Sequence, residues 1–302
     1  MASIPRERAV LPDTGRQAAG IALMLVAVSI LPVMDGFAKH LGQSLPVLQV
    51  VWGRFFFNVI LVLPVLAALH GRKGLIPPRP GIQIIRGLCL VTATTLFFSA
   101  LTFLPIADTL AIFFIQPLIV TALSPFVLGE HVGVRRWSAV IVGFIGTLII
   151  IRPGFQEINL GTVLALAAGL CFASYLLLTR RIAGTGRPLV TATFTGLAGA
   201  IVLTIAMPWV WQWPTATQWL ELVLIGLIST LGHYCIVKAY EHTEATVLAP
   251  FSFAEILMAV LVGYAWFGDL PDRWTVVGVV ILVASGIYIS FREGRRRTVP
   301  HP

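Results

Sequence analysis

The side chains in this chain that are best suited to chemistry are ionisable residues inside long apolar runs. Glu255 lies in such a run near the C-terminal end, and Asp35 and Arg54 lie in the first two. An ionisable side chain in the bilayer core costs roughly 3 kcal/mol, so each needs a partner or a polar cavity. Because burial disfavours charge on a carboxyl group, Glu255 is suited to bind and release a proton. The alternative is a neutral acid hydrogen-bonded to a neighbouring helix.

Asp35 and Arg54 carry opposite charges, and two interpretations of them stay open. They could form a structural salt bridge, or they could hold the two charged groups of a zwitterionic ligand. The planar fork of arginine binds a carboxylate through two hydrogen bonds, which suits Arg54 to recognition. Lys39 lies one helical turn after Asp35 and could line the mouth of the same path. Snorkelling of its ammonium to a membrane surface would explain it equally well.

Further polar and aromatic residues are candidates for a binding cavity. His233 could relay protons near neutral pH, although a hydrogen-bonded core histidine is the commoner case. Aromatic rings suit a ring-bearing ligand, but in a membrane helix they more often pack against neighbours or lipid. The predicted substrate-binding residues are Asp35, Lys39, Arg54, Phe113, Gln116, Tyr175, Tyr234 and Glu255. The predicted proton-coupling residues are Glu255 and His233.

The composition indicates the scaffold that holds these residues. Of the 302 residues, 57% are hydrophobic and 11% are charged, whereas soluble domains carry about 25% charged residues. A bilayer core needs about 20 apolar residues per helix. Segments of this kind lie at about 18–39, 47–69, 82–103, 106–128, 135–151, 159–181, 189–211, 217–239, 245–267 and 273–291. The sequence therefore predicts an all-α integral membrane protein with ten transmembrane helices.

The positive charges predict the orientation of these helices. With the N-terminus placed inside, 17 of the 21 Lys and Arg residues fall at the cytoplasmic side. The other four are Lys39, Arg54, Arg152 and Arg273. This split follows the positive-inside rule and predicts that both termini are cytoplasmic. The net charge of +8 is then a consequence of membrane topology, and no nucleic-acid partner is expected.

The two halves of the chain resemble one another when the sequence is shifted by 139 residues. The pairs that then coincide include Gly87 with Gly226, Phe114 with Phe253, Gln116 with Glu255, and Gly129-Glu130 with Gly268-Asp269. Each half holds five spans, an odd number, so the halves must insert in opposite directions. The expected architecture is two inverted five-helix repeats, at 18–154 and 155–293. A cytoplasmic N-terminal tail (1–17) and a basic cytoplasmic C-terminal tail (294–302) flank them.

Two stretches are similar to a known family. Residues 101–154 contain the mid-helix Pro117, the helix end Leu128-Gly129-Glu130 and the helix entry Arg135-Arg136-Trp137, and residues 238–293 contain Ala249-Pro250-Phe251 and Phe267-Gly268-Asp269 in matching places. These features resemble the EamA domain, the repeated unit of the drug/metabolite transporter superfamily. The second copy departs from the first in having Asp269 where the first has Glu130. The resemblance covers about residues 18–293.

This resemblance implies a secondary transporter that works by alternating access and is driven by protons or another gradient. Relatives carry amino acids, vitamins, nucleotide-derived metabolites or drugs. The stretches 35–39 and 54–57 resemble members that take up S-adenosylmethionine or riboflavin. The expected partners are a small-molecule substrate, a coupling proton and the lipid bilayer of an inner membrane. Both a monomer and a homodimer stay open.

Other classes of function lack their sequence signals. The chain has no Gly-x-Ser-x-Gly, His-Glu-x-x-His or P-loop motif, so an enzyme is not expected. Its three cysteines and six histidines show no metal-ligand spacing, and no cofactor is predicted. A channel would need a selectivity-filter segment, and none is evident. A lipid or lipid-linked flippase of the same architecture stays the alternative; a groove open to lipid would favour it, and a wet cavity would favour the metabolite carrier.

Overall fold

The apolar segments form helices in a computed structural model of the chain. The structure describes residues 14–70, 79–129, 132–152, 159–182, 188–243 and 245–297, and all regular secondary structure within these ranges is helical. The helices are α1 (Thr14–Leu41), α2 (Val47–His70), α3 (Pro80–Leu101), α4 (Ile106–Phe113), α5 (Gln116–Leu128), α6 (Val134–Ile151), α7 (Leu160–Arg181), α8 (Pro188–Val210), α9 (Ala216–His242), α10 (Ala245–Ser252), α11 (Ala254–Phe267) and α12 (Arg273–Arg297).

The helices have the length and composition of a membrane bundle. Among the described residues, eight helical segments are long and apolar enough to cross a bilayer. Helices α6 and α12 have shorter apolar parts, at Trp137–Ile151 and Arg273–Tyr288. Large apolar side chains such as Ile205 and Val280 are more than 60% exposed, as expected for a surface that faces lipid. The predicted all-α membrane protein is therefore confirmed.

Two of the predicted spans are each divided into two helices. The first break separates α4 from α5, and the second separates α10 from α11. Pro117 follows the first break and has no N–H group with which to continue the hydrogen bonding of α4. Ile256 stands at the equivalent position after the second break, so a proline is not required there. Pro32 lies within α1, which continues through it without a break.

The divided segments also end alike. Helix α5 is capped by Gly129 with φ 70°, and α11 is capped by Gly268 with φ 71°. This left-handed conformation is favourable for glycine, which has no Cβ atom to clash. The backbone thus repeats the equivalence that the sequence predicts. Glu130, which follows the first of these glycines, lies outside the described residues.

Helices α6 and α12 pack closely through small residues. A Cβ atom on Gly278 would lie 2.6 Å from the carbonyl oxygen of Gly146, so the two backbones approach as only glycine allows. Nearer the start of α6, the carbonyl oxygen of Ala139 accepts a hydrogen bond from the hydroxyl of Ser285. The contact earlier in α6, at Ala139, is thus made to the later residue of α12, Ser285. The two helices run antiparallel.

Helices α2 and α8 are antiparallel in the same way. The side chain of Gln49 exchanges two hydrogen bonds with the backbone of Gln212, at 2.7 and 3.0 Å. The indole N–H of Trp52 donates to the hydroxyl of Thr204 at 3.0 Å. As the contacts move forward along α2, the partner changes from Gln212, just after the end of α8, back to Thr204 within α8. Polar side chains thus fix the register of this pair.

We predict that Gly278→Val destabilises the protein, because its added side chain would meet the backbone of α6. Overpacking of a close interface costs about 1–3 kcal/mol. The matched control is Gly81→Val, since a Cβ atom at Gly81 meets nothing within 4 Å. The measurement is the thermal midpoint of loss of monodisperse protein in detergent. Equal midpoints for Gly278→Val and the natural chain would contradict the close approach of α6 and α12.

Candidate functional site

The two helix breaks contact one another. The ring of Phe114, at the first break, packs on the ring of Phe253, at the second, with centroids 5.3 Å apart. Gln116 begins α5 two residues after the first ring, and Glu255 follows the second ring by the same spacing. Gln116 and Glu255, which occupy equivalent positions in the repeat, therefore lie beside one crossing of the two halves.

Two carboxylates lie near this crossing. Asp35 of α1 is 3% exposed, and Glu255 is half-buried in the first turn of α11. The two lie within electrostatic range of each other, and Asp35 is also in range of Arg54. Within the described part of the chain, neither carboxylate accepts a hydrogen bond, and no ion pair shorter than 4.0 Å joins Asp35 to Arg54. Asp35 is thus near a cation without being paired to it, and Glu255 is near Asp35.

Arg54 is held instead by hydroxyl groups of two other helices. Its Nη1 group donates to Thr94 of α3 at 2.8 Å, and its Nε–H donates to Ser229 of α9 at 3.2 Å. The guanidinium also lies 5.6 and 5.8 Å from the ring centroids of Phe55 and Phe98. Its Nη2 group makes no hydrogen bond to a described residue. Arg54 is therefore fixed in orientation while one end of its fork keeps an unused donor group.

A second arginine, which the sequence did not single out, lies in the same bundle. Arg86 of α3 is 2% exposed. Its guanidinium donates to hydroxyls of Thr179 in α7 and Thr195 in α8 and lies 5.4 Å from the ring centroid of Tyr175. Arg86 is one of the 17 residues that the charge count places at the cytoplasmic side, and the structure buries its side chain between helices instead of exposing it at a membrane surface. Seven residues into α3, it is already enclosed by the neighbouring helices.

An aromatic wall extends from Tyr175 towards the first break. Tyr175 packs on Phe172 at 5.4 Å between centroids, Phe172 packs on Phe113 at 5.2 Å, and Phe113 packs on Phe97 at 5.0 Å. Arg54 lies within electrostatic range of Tyr175. The structure thus joins the predicted residues Phe113 and Tyr175 through the ring of Phe172 and extends the wall beyond Phe113 with Phe97. Sequence reasoning missed both of these rings. In so apolar a chain, nothing in the sequence distinguished those two phenylalanines from lipid-facing ones.

Gln116 has an amide oxygen that is fully enclosed and has no hydrogen-bond partner among the described residues. An unsatisfied buried oxygen of this kind is costly. Gln116 begins a helix, directly after the break, where the backbone is already irregular. Its oxygen therefore keeps an unused acceptor position beside the crossing.

His233 and Tyr234 of α9 lie on different sides of the helix. The Nδ1 atom of His233 is 2.8 Å from the carbonyl oxygen of Ser229, and the imidazole is within electrostatic range of Arg54. Tyr234 is 56% exposed and lies on the side of α9 away from Ser229. The structure brings His233 to the cluster of Asp35, Arg54 and Glu255, which we call the charged cluster. It leaves Tyr234 apart from that cluster. The roles predicted for both residues stay predictions.

Lys39 lies beyond this cluster, at one end of the bundle that we call the Lys39 end. Its ammonium donates to Asp269 at 2.7 Å and to the carbonyl oxygen of Leu104 at 3.1 Å. It also lies 4.8 Å from the ring centroid of Phe267. These contacts connect α1 to the α3–α4 junction and to the end of α11. Lys39 thus closes a seam between elements distant in sequence.

A second ion pair lies at the same end. Arg152, after α6, pairs with Asp272, before α12. Partial burial raises the pKa of Asp272, but hydrogen bonds from the backbone N–H of Thr275 and from Arg152 outweigh it and hold that pKa below its ordinary value. Asp272 is therefore charged at neutral pH. The ion pair connects the end of α6 to the start of α12. Asp108 of α4 lies nearby, with one carboxyl oxygen enclosed and unbonded among the described residues.

The polar groups do not form a metal site in the part of the chain that the structure describes. No three His, Cys, Asp or Glu side chains there are grouped so that they could hold a metal ion. The chemistry that the cluster offers is recognition of charge by Arg54, Asp35 and Glu255, and of a ring by the aromatic wall.

This arrangement, with divided helices crossing inside a bundle and charges beside the crossing, is that of a membrane transporter. The chain belongs to the EamA-like transporter family, whose model matches it twice, at residues 18–152 and 159–291. The predicted family is therefore confirmed, and the protein is a transporter and not an enzyme.

Individual relatives cover nearly the whole chain. It is 27% identical over 283 residues to the S-adenosylmethionine uptake transporter of Rickettsia prowazekii, covering 93% of this chain and 96% of that protein. It is 29% identical to the riboflavin transporter of Vibrio cholerae, covering 92% and 94%. It is 23% identical to a pseudopaline exporter of Pseudomonas aeruginosa, covering 90% and 95%. A solved structure, 18% identical, covers 95% of this chain and 99% of that chain with a TM-score of 0.63, which shows a shared fold.

Proposed function

We propose that this protein is a secondary active transporter of a small zwitterionic, ring-bearing metabolite across a bacterial inner membrane. The observation that carries the proposal is the Arg54 guanidinium, whose Nη2 group has no partner among the described residues and which lies within electrostatic range of Asp35 and of Tyr175 in the aromatic wall. Arg54 binds the substrate carboxylate, Asp35 attracts its cationic group, and the wall that includes Phe113 and Tyr175 receives its ring.

The relatives support this substrate class. Two of them are named for S-adenosylmethionine and riboflavin, and a third for pseudopaline. All three names denote small polar metabolites. A site with both signs of charge and a row of rings fits an amphipathic compound of this kind better than a simple ion. Lys39 and Gln116 stay in the proposed substrate path, with Gln116 offering its unbonded oxygen. Tyr234, exposed on the other side of α9, is not part of this path.

Inverted repeats are the architecture that we infer for the transport cycle. Under the shift of 139 residues, the contact between Gly146 and Gly278 becomes the contact between Ser285 and Ala139. Equivalent helices, α2 with α8 and α6 with α12, pack antiparallel, which favours a two-fold axis in the membrane plane. Inverted repeats of this type exchange their conformations, so that the site opens first to one side and then to the other.

Alternating access also needs a gate at each end of the path. The Lys39 end is the outer end in the predicted orientation, and there Lys39 bonds to Asp269 and to the carbonyl oxygen of Leu104. These bonds hold α1 against α11 and the α3–α4 junction. We infer that the structure corresponds to a state closed at this end. Opening requires that Lys39 exchange its partners for water.

Glu255 is the proposed proton carrier. It shares electrostatic range with Asp35, and two neighbouring carboxylates repel each other when both are charged. A proton on Glu255 relieves this repulsion and also removes a negative charge that would repel the substrate carboxylate bound by Arg54. Loss of that proton towards the inner side restores the negative charge and so favours release of the substrate, which couples the two movements. His233, bonded to the backbone beside Arg54, is the proposed exchange point for that proton.

The experiment that tests the transport proposal is uptake into proteoliposomes that hold the purified protein. The panel is labelled S-adenosylmethionine, riboflavin, amino acids and nucleosides, each with and without a pH gradient that is acidic outside. We expect one compound class to accumulate only with the gradient, because an inward-moving proton drives its uptake. No accumulation by folded protein would contradict the metabolite proposal and favour the flippase alternative.

Arg54→Gln supplies a residue-specific arm of the same experiment, with Arg273→Gln as its matched control. Arg273 also stacks on a ring, that of Trp274 at 5.6 Å, but lies at a helix end. A hydrogen bond to a charged group is worth about 1.5–3 kcal/mol. We therefore expect Arg54→Gln to raise the KM of the transported compound roughly ten-fold or more and Arg273→Gln to leave it unchanged.

We predict that Glu255→Gln abolishes accumulation driven by the pH gradient, because glutamine can accept no proton. Exchange of labelled for unlabelled substrate, which needs no net proton movement, is expected to continue. The matched control is Glu241→Gln, since Glu241 is exposed and pairs with Lys238 at the far end of α9. Unchanged accumulation and unchanged pH dependence in Glu255→Gln would show that Glu255 is not the carrier.

We predict that Lys39→Asp opens the Lys39 end, because it replaces an attraction to Asp269 by a repulsion. The readout is the rate at which a polar thiol reagent labels a cysteine placed at Ala38, which is 1% exposed, in a chain whose natural cysteines are replaced by serine. A pair worth about 1 kcal/mol gives a roughly five-fold rise.

The charge-swapped double variant, Lys39→Asp with Asp269→Lys, controls for the gate. It restores the attraction in reverse and is expected to return the labelling rate towards that of the parent. Equal rates in all three proteins would contradict a gate at this position.

A further inference from the structure

A separate cavity opens at the Lys39 end, outside the seam that Lys39 closes. Its volume is about 340 Å³, near the lower limit for a small-molecule pocket. It lies between α1, α9 and α11. Its lining residues are Phe37, His40, Glu221, Trp266 and Phe267. None of these residues belongs to the cluster around Arg54.

Glu221 supplies the charge of this cavity. It is 9% exposed, and one carboxyl oxygen lies 3.0 Å from Nδ1 of His40. Its other oxygen has no hydrogen-bond partner among the described residues, and it is not one of the enclosed unbonded atoms. His40 satisfies one oxygen of this side chain. The cavity therefore presents the second oxygen of a carboxyl group to a ligand.

Three aromatic rings form the rest of the wall. Phe37 and Trp266 pack edge to face with centroids 4.9 Å apart. Phe267 already receives a cation on its ring, because the Lys39 ammonium lies 4.8 Å from its centroid. That ammonium is neutralised by Asp269, so it adds no net repulsion to the cavity. Aromatic faces beside a carboxylate attract cations with apolar substituents more strongly than they attract neutral molecules.

We propose that this cavity binds an organic monocation of the quaternary ammonium or sulfonium type. Glu221 provides the counter-charge, and Phe37, Trp266 and Phe267 surround the alkyl groups. This chemistry is complementary to that of Arg54, which binds an anion. In the transport cycle, the cavity is the place where the cationic group of a substrate first contacts the protein. This role rests on the proposed function, whereas the binding of a cation to the cavity is independent of it.

The same chemistry has two possible sources, a soluble cation and the ammonium headgroup of a lipid. The cavity lies at the end of the bundle, where both can reach it. Binding is therefore measured by calorimetry on the full-length protein in nanodiscs of phosphatidylglycerol alone, with choline as the probe. Its neutral isostere, 3,3-dimethylbutan-1-ol, has the same shape without the charge.

We expect choline to bind and the isostere to bind roughly ten-fold more weakly or not at all. Glu221→Gln, which keeps the size and hydrogen bonding of the side chain, is expected to reduce choline affinity at least to that of the isostere. Glu241→Gln, on the same helix, is the matched control and should bind as the natural chain does. Trp266→Leu should weaken choline binding and leave the weak binding of the isostere nearly unchanged.

Equal binding of choline and the isostere, or unchanged binding in Glu221→Gln at an unchanged thermal midpoint, would overturn the proposal. Nanodiscs of phosphatidylcholine then separate the two sources. If choline binds more weakly in phosphatidylcholine than in phosphatidylglycerol, and Glu221→Gln removes this difference, the occupant is the lipid headgroup. Equal choline binding in both lipids would identify a soluble cation. Because the measurement needs no transport, its failure is distinguishable from failure to accumulate substrate.

Discussion

Inside a bilayer, a polar or charged group finds no water and must be satisfied by another part of the protein. Arg54 and Arg86 illustrate the consequence, because hydroxyl groups on other helices accept the hydrogen bonds of both. Thr94 and Ser229 hold the first, and Thr195 is among the partners of the second. Each buried arginine therefore connects helices that are distant in sequence. Removal of water makes these few bonds decisive for how the bundle is assembled.

The same constraint explains where the backbone departs from regular helix. A break in a membrane helix leaves polar backbone groups unpaired, which is tolerable only inside the protein. Both breaks occur where the two halves cross, and the rings of Phe114 and Phe253 cover them. The first break also places the unbonded amide oxygen of Gln116 beside this crossing. The proposed binding site and the irregular backbone therefore coincide.

Helix α1 connects the two sites. Asp35 lies within electrostatic range of Arg54, Lys39 bonds to Asp269, and His40 contacts Glu221 in the cavity at the Lys39 end. These residues lie within two turns of one helix, so movement of α1 changes all three contacts together. The ion pairs at this end are partly exposed, and exposed pairs contribute little net stability. They can close a path without preventing it from opening.

The sequence by itself determined the class of protein, because apolar runs of bilayer length and clustered positive charges follow from composition and order alone. It also predicted Asp35, Arg54 and Glu255, since an ionisable residue within an apolar run is conspicuous. Only the tertiary structure decided which groups meet. The burial of Arg86, the partner of Lys39 and the rings beside Phe113 all depend on how helices far apart in the chain pack, and apolar periodicity carries no information about that packing.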